Sequence, residues 1–338
     1  MDRKDLRAYN LQKLRDALRM AGQATQPQLA EMTGLSVMTV NALLRILREN
    51  HEAEMLEELL PSLSESGGRP ARQYRYLSNR HMALVLSFYE KDGRNRVAAR
   101  VQNLQGEIIF SEESVCSEVS LEFLSETIGG YCKEYSQLDV AIIGLPGVEV
   151  DGVLSVMDYP LLRGLRLREE LTRRTGLPVF LANDVNAAVL GYGASLGADA
   201  KGETLVAVYW PLRYPPGAGI LLRGELYQGR DGLAGEFAYA FSERAGYSSG
   251  NPVEQAAEAV LDFVRYWNPH RMVFYHEGLP LEKEKDIRSL CAASMEERFL
   301  PEIVLGRNLD CDYERGLYIM ADRLLRKLEE KGASGMVL

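Results

Sequence analysis

An amide and a carboxylate stand side by side at Asn183 and Asp184, directly after a short apolar segment, residues 179–181. The length of that segment is typical of a strand buried on both faces, and residues 185–193 have the small side chains of a closely packed helix. Open α/β sheets bind ligands at the carboxyl ends of their strands. We therefore expect this pair to hydrogen-bond the hydroxyl groups of a polyol, with Asp184 able to take a proton.

A second interpretation of Asp184 is structural. Aspartate is a preferred N-cap residue, because its side-chain oxygen accepts a hydrogen bond from an amide of the first helical turn. This stretch alone leaves both interpretations open, and the surrounding chain favours the ligand site.

Two helix starts separated by a glycine lie near the N-terminus. Thr25, with Gln28 three residues later, resembles a capping box, and Gly34 ends the helix that it opens. The next helix has apolar residues at helical spacing and polar residues on its other face. This order is typical of a helix-turn-helix, and a three-helix dimerisation bundle is the alternative. The residues of this motif predicted to contact DNA are Ser36, Met38, Thr39, Asn41 and Arg45.

A glycine- and serine-rich stretch, residues 62–72, separates this motif from the alternating sequence of residues 73–77. The alternation predicts a strand, so the segment is interpreted as the wing of a winged helix-turn-helix, with Arg69 and Arg72 reaching a minor groove or a phosphate. A solvated linker is the alternative. The acidic residues 51–60 before it are predicted to be helical.

Composition separates the N-terminal part from the rest of the chain. Residues 1–80 hold 12 basic and 10 acidic residues, whereas the whole chain has a net charge of −9. A mildly basic segment on an acidic body fits a nucleic-acid module attached to a domain that avoids polyanions. No apolar run is long enough for a membrane span, and the four scattered cysteines predict a reduced, cytoplasmic protein with no metal site.

The remainder of the chain predicts one α/β scheme twice. Strand and turn signals between residues 82 and 115 indicate three antiparallel strands, followed by alternating helices and strands, and a similar series begins near residue 204. Two such halves around a cleft place Asn183 and Asp184 on one lip and Glu236 on the other. The predicted units are residues 1–78, residues 79–195 completed by a C-terminal helix at 312–331, and residues 196–311.

Several short motifs, in this order, resemble the family called Repressor, ORF, Kinase (ROK). They are Leu35-Ser36 with Thr39-Val40, Gly67-Gly68-Arg69-Pro70, Gly144-Leu145-Pro146-Gly147, Leu177-Pro178 through Asn183-Asp184, and Gly235-Glu236. The resemblance implies a fold of class α/β: an N-terminal winged helix-turn-helix followed by an actin/hexokinase-like body of two ribonuclease H-like subdomains.

The resemblance also implies roles for individual residues. Asp184 matches the family base that takes a proton from the sugar hydroxyl, and Asp158 stands where the family has an asparagine. Together with these, the residues predicted to line the ligand site are Gly147, Asn183, Glu236, Tyr239 and Glu254.

Three departures from the family pattern concern phosphate and zinc. Residues 87–92 replace a glycine-rich phosphate loop with bulky and acidic side chains, and residues 211–219 contain prolines where backbone donors are needed. Tyr239 occupies the position of a zinc-binding histidine, so no zinc site is expected. Residues 255–266 span an interval where the family has several more helices, which predicts a trimmed second subdomain.

These features predict a DNA-binding transcriptional regulator, most simply a repressor, whose kinase-like body senses a sugar or dimerises. The expected partners are a duplex DNA operator, a small sugar effector and a second copy of the chain, with no cofactor and no membrane. Losing both phosphate loops removes the donors that phosphoryl transfer requires, so no enzymatic activity is expected. The alternatives are an active sugar kinase and a regulator whose body no longer binds sugar.

Overall fold

The chain folds into alternating helices and strands, which a computed structural model describes over residues 3–56, 72–91, 93–211, 215–236 and 251–335. Within these ranges, no helix combines the length and apolar character that crossing a bilayer requires. The described helices are α1 (Arg3–Ala21), α2 (Gln26–Thr33), α3 (Val37–Glu49), α4 (Leu121–Glu134), α5 (Leu167–Thr175), α6 (Asp184–Ser195), α7 (Pro252–Trp267), α8 (Glu284–Ala292) and α9 (Leu309–Gly335).

Within the described residues, the strands belong to four sheets. The described strands are β1 (Gln23–Thr25), β2 (Ala53–Leu56), β3 (Gln73–Tyr76), β4 (Met82–Lys91), β5 (Arg94–Asn103), β6 (Ile108–Val115), β7 (Leu138–Leu145), β8 (Gly147–Val150), β9 (Val153–Met157), β10 (Val179–Asn183), β11 (Leu205–Trp210), β12 (Gly217–Leu222), β13 (Glu225–Leu226), β14 (Arg271–His276) and β15 (Glu302–Leu305). The orders are β1-β3-β2, β10-β7-β4-β5-β6, β13-β12-β11-β14-β15 and β8-β9.

The N-terminal module, residues 3–56 with 72–77, joins α1, α2 and α3 to the small sheet β1-β3-β2. The predicted capping box of Thr25 and Gln28 is present, and Gly34 ends α2 in the left-handed conformation. The Ser36 side chain caps α3 by accepting from the Thr39 amide. Both helix starts are thus confirmed, and their caps fix where each helix begins.

The acidic stretch after α3 was predicted to be helical, and this prediction is wrong for its described part. Residues 53–56 form β2, which pairs antiparallel with β3. Glu52, just before β2, is buried and accepts hydrogen bonds from Arg15 of α1, while Tyr74 and Tyr76 of β3 are buried in the same core. Pairing and burial therefore outweigh the helix propensity of the glutamates. Residues 57–60 lie outside the described residues.

The body contains the same sheet twice, as the sequence predicts. In the first, β4, β5 and β6 are antiparallel neighbours, and β7 and β10 extend the sheet in parallel. In the second, β11, β12 and β13 are antiparallel, and β14 and β15 are the parallel extension. Helix α6 begins where β10 ends, and α9 begins shortly after β15 ends. Both helices lie between the two sheets and share one hydrophobic core with them.

Two glycines allow α6 and α9 to touch backbone to backbone. A Cβ on Gly191 would lie 1.8 Å from the Asp312 carbonyl oxygen, and a Cβ on Gly316 would lie 1.8 Å from that of Ala187. Both distances are far below van der Waals contact, so any side chain there must push the helices apart. This crossing fixes the first turns of α9 against α6, beside Asp184.

The far end of α9 reaches the N-terminal module. Glu329 is 3% exposed and accepts a hydrogen bond of 2.5 Å from the Tyr76 hydroxyl of β3. It is also paired with the Arg80 guanidinium, which follows β3 in the chain. Twenty residues of helix span about 30 Å. One rigid element therefore connects the surroundings of Asp184 to the N-terminal module.

Candidate functional site

A cleft of about 630 Å³ lies between the two sheets, where the carboxyl ends of β7 and β10 face the start of β12. Its size falls in the range of small-molecule sites. It contains most of the residues predicted as one ligand site and several that the sequence did not single out. Polar and charged lining residues include Tyr89, Glu90, Asn95, Ser155, Asp158, Arg163, Asn183, Asp184, Tyr209, Glu236, Asp310 and Tyr313.

Asn183 and Asp184 end β10 and begin α6, as predicted. The cap, however, is Asn183, whose side-chain oxygen accepts from the Asn186 amide at 2.9 Å. Its amide nitrogen donates to the Gly147 carbonyl at 3.3 Å, so Asn183 also holds the predicted Gly147 in place. Asp184 is the first residue of the helix, and the interpretation of Asp184 as a mere N-cap is wrong. Its Oδ1 accepts from the Val185 amide at 2.8 Å, and the residue lines the cleft.

Three carboxyl groups converge in the cleft, from Asp158, Asp184 and Glu236. Burial raises the pKa of Asp158 to about 6, although the nearby Arg163 opposes this. Burial also raises the pKa of Asp184 to about 6, and the charge of Asp158 adds to the effect. Near neutral pH, the site therefore offers both protonated carboxyl donors and ionised acceptors, which is what hydroxyl groups need.

Glu236 is positioned by the glycine before it. Gly235 has φ +90°, and a Cβ there would lie 2.0 Å from the Ala218 carbonyl oxygen, so no other residue fits. The Gly235 carbonyl accepts from the Ala218 amide, and Glu236 bridges to Gly217 of β12. Burial, followed by the charges of Asp184 and Asp158, raises the pKa of Glu236 to about 7.

The segment that stands in place of the family's first phosphate loop, residues 87–92, belongs to strand β4 as far as Lys91. β4 pairs with β5 as far as Lys91, with Phe88 buried and Tyr89 and Glu90 on the cleft wall. Glu90 and Asp310 bring further negative charge to this wall. Arg163 is the one basic residue of the cleft lining within the described residues, and it donates to the Met157 carbonyl at 2.9 Å. The described lining is therefore poorly suited to a polyanion.

The second phosphate position is occupied by prolines. Pro211 and Pro215 line the cleft, and neither has a backbone N–H to donate. Residues 212–214 between them lie outside the described residues. Among the described residues, no group of three or more histidine, cysteine or acidic side chains is arranged to hold a metal ion.

One predicted ligand residue, Glu254, is not brought into the cleft. Glu254 lies in the first turn of α7, where it is exposed and accepts from the Asn251 amide at 3.5 Å, and it is not part of the cleft lining. Tyr239 lies outside the described residues. Asp310 and Tyr313 also line the cleft but were not predicted from the sequence. Both are on α9, far along the chain from the other site residues, and no motif marks them.

The described residues predicted to contact DNA are exposed, apart from the half-buried Thr39. Met38 is 85% exposed, and the Arg45 side chain, 80% exposed, lies 3.4 Å from Glu49. Asn41 accepts from the Gln26 amide, which ties α3 to α2, and Ser36 and Thr39 share a hydrogen bond at the start of α3. Arg72 is exposed beside β3, whereas Arg69 lies outside the described residues.

Comparisons with known proteins agree with this architecture. The sequence profile of the ROK family matches residues 91–273. The xylose repressor of Bacillus subtilis (strain 168) is 24% identical over 234 residues, which cover 64% of this chain and 56% of the repressor. The chain thus matches just over half the length of that relative.

An enzyme and a solved structure are also similar to the chain. The glucokinase of Thermotoga maritima is 38% identical over 92 residues, which cover 26% of this chain and 27% of the enzyme. A crystal structure of a ROK family transcriptional regulator, a homolog of the E. coli MLC protein, superposes with a TM-score of 0.58 at 17% identity, covering 96% of this chain and 99% of the other. This likeness supports the α/β sugar-kinase-like fold.

Proposed function

This chain belongs to the ROK family, and from that premise we propose that it is a sequence-specific DNA-binding transcriptional regulator, most simply a repressor. Its N-terminal module is a winged helix-turn-helix, and its body senses a sugar-like polyol instead of phosphorylating it. The similarity to a xylose repressor supports the regulatory role, and the similarity to a glucokinase fits a body that keeps the sugar-kinase shape.

The observation that carries this proposal is the asymmetry of α3. Its apolar side chains, from Val40 to Leu47, are buried in the module. Its opposite face presents hydroxyl, amide and guanidinium groups, with Arg45 almost fully exposed. Such groups hydrogen-bond base edges in a major groove, which admits an α-helix.

The cleft supports a neutral polyol as the effector. Its carboxyl groups accept from and donate to hydroxyls, while its negative charge and its prolines disfavour phosphates. These carboxyl groups belong to Asp158, Asp184 and Glu236. Gly147 and Asn183, which are joined by a hydrogen bond, line the same cleft. We include Tyr239 in the site only as a prediction from the family pattern.

Helix α9 supplies a route from effector to DNA. Its first turns line the cleft through Leu309, Asp310 and Tyr313, and its last turns are bound to the N-terminal module through Glu329. An effector that binds the closed cleft better than the open one shifts the population toward closure. In a homodimer, a shift of α9 then changes the spacing of two recognition helices relative to a palindromic operator.

The direct test is selection of duplexes from a random DNA library by the full chain, followed by binding measurements on the selected sequence. We expect a defined motif, with affinity that falls steeply as salt rises. Arg45→Ala is expected to cost about 1–3 kcal/mol of discrimination at one position, because a bidentate base contact is worth that much. Arg265→Ala, which removes the same charge from an exposed site on α7, is the control. Selection of no motif contradicts the proposal.

An active sugar kinase is the second candidate, because Asp184 stands in the cleft as a base would. We expect no phosphoryl transfer above background with MgATP and a panel of monosaccharides, since the described walls lack a glycine-rich cradle for phosphates. A coupled assay measures this. Turnover that disappears in Asp184→Asn would establish the kinase and overturn the non-catalytic body.

A further inference from the structure

Helix α1 has a second face that points away from the core of the N-terminal module. Residues 5–9 are all exposed, although buried leucines farther along the helix hold its second half in that core. Exposed side chains on this face recur at intervals of three and four residues, so they form one narrow stripe along the helix. This outer stripe consists of Leu6, Tyr9, Lys13, Asp16 and Met20.

The apolar members of the outer stripe are largely exposed. Leu6 is 46% exposed, Tyr9 is 60% exposed and Met20 is 82% exposed. A single exposed apolar side chain needs no explanation, but three at heptad spacing on one helix are the pattern of a helix–helix contact. The outer stripe therefore has the composition of an interface that a single copy of the chain leaves open.

The charged members of the outer stripe determine which partner fits it. Lys13 and Asp16 carry opposite charges at the middle of the stripe, and an apolar residue stands four positions before the first and four positions after the second. In an antiparallel pair of α1 helices, Lys13 of each copy therefore faces Asp16 of the other. By the same spacing, Tyr9 of each copy faces Met20 of the other. The stripe is thus complementary to itself, as a twofold interface requires, whereas a parallel pair brings like charges together.

Asp16 is held in the stripe by its neighbours on α1. The Arg19 guanidinium donates to Asp16 at 2.6 Å and the Gln12 amide donates at 3.3 Å, yet the Asp16 side chain remains 41% exposed. A carboxylate offers about four acceptor positions, so an ammonium group can still bind it. Arg19 also lies 3.7 Å from Glu329 at the far end of α9. The outer stripe is therefore connected to the helix that lines the cleft.

We infer that two copies of this chain pair through the outer stripes of their α1 helices, antiparallel and about a twofold axis midway between Lys13 and Asp16. The contact joins the two N-terminal modules and fixes the distance between their α3 helices. This consequence rests on the proposed function, in which paired modules read the two halves of a palindromic operator. Because Arg19 connects the stripe to α9, a shift of α9 on effector binding is expected to alter the pairing.

Disulfide trapping on the full chain tests the pairing without DNA. Every variant also carries Cys311→Ser, because Cys311 is the exposed cysteine among the described residues. The double variant Tyr9→Cys/Met20→Cys is expected to form a covalent dimer on mild oxidation, since each substituted position faces the other across the twofold axis. Each single variant is expected to form none, because its two substituted positions lie about 16 Å apart along the paired helices, beyond the roughly 7 Å between Cα atoms that a disulfide spans.

Lys13→Glu in the double-cysteine protein supplies a second readout. It places a carboxylate opposite the partner's Asp16, so the yield of covalent dimer is expected to fall about tenfold, because repulsion replaces two exposed ion pairs. Leu290→Gln, which removes an exposed apolar side chain from α8, is the control and should leave the yield unchanged.

Three results overturn the inference. They are no covalent dimer in the double variant, as much covalent dimer in the single variants as in the double variant, and a yield that Lys13→Glu leaves unchanged. Operator selection is measured separately, so each of these failures leaves the proposed regulatory function to be judged by DNA binding alone.

Discussion

Replacing Glu329 by alanine is expected to lower the free energy of unfolding by about 3–5 kcal/mol, the cost of breaking a buried ion pair by removing one partner. The Glu329 side chain is 1% exposed and faces Arg80, with Arg15 at 3.6 Å and Arg19 at 3.7 Å. Glu52 then remains as the buried carboxylate beside Arg15 and Arg80, while Arg19 keeps only the partly exposed Asp16. The uncompensated positive charge, more than the lost contact, is the source of the effect.

The same helix offers a matched control. Asp322 forms an i,i+4 pair with Arg326 at 2.7 Å, and the Arg326 side chain is 48% exposed. Exposed pairs of this kind contribute about 0.3–0.5 kcal/mol, so Asp322→Ala is expected to change stability little. Urea unfolding of both variants measures the difference. Equal free energies of unfolding for Glu329→Ala and Asp322→Ala would show that the C-terminal end of α9 does not hold the N-terminal module.

The second large effect is expected at the cleft. Glu236→Gln should stabilise the ligand-free protein at pH 8 by about 3 kcal/mol, because a pKa raised from 4.5 to about 7 costs 1.36 kcal/mol per unit once the group is ionised. Glutamine keeps the size and hydrogen-bonding capacity of the side chain. It removes only the charge that burial and the neighbouring carboxylates of Asp158 and Asp184 disfavour.

The sign of the pH dependence follows from proton linkage. Between pH 4.5 and 7 the folded protein binds more protons at Glu236 than the unfolded chain does, so stability falls as pH rises through this window. Asp158 and Asp184 act in the same direction up to about pH 6. The difference between Glu236→Gln and wild type should therefore be small at pH 4.5 and largest above pH 7.

Urea unfolding of wild type and variant across this pH range measures the effect. Glu225→Gln, at an exposed carboxylate of β13, is the control and should change stability little at every pH. A wild-type protein whose stability rises from pH 5 to 8 relative to Glu236→Gln would contradict the description of the cleft as a cluster of disfavoured charges.

The fold was largely predictable because its signals are local. Thr25, Ser36 and Gly34 mark helix ends through hydrogen bonds within a few residues, and the structure confirms each of them. The duplicated sheet follows from strand lengths and turn residues that recur in both halves, and the observed strand orders match. Asn183 and Asp184 were placed at a strand end for the same local reason.

The parts that could not be predicted depend on contacts between distant residues. Glu52 precedes a strand because Arg15 and β3 bury it, which no window around residue 52 reveals. In the sequence, Glu329 resembles the other charged residues of a polar helix, although in the fold it is enclosed by Tyr76 and Arg80. Asp310 reaches the cleft only because glycines let α6 and α9 touch, so its place there is a property of the packed body.

The most direct test of the account is the affinity of the full chain for its selected duplex relative to a scrambled duplex of the same length and composition, measured by fluorescence anisotropy at physiological salt. We predict a ratio of about 10³ or more, since specific regulators bind at least that much more tightly than they bind random DNA. Equal affinity for the two duplexes would contradict the claim that this chain is a sequence-specific regulator.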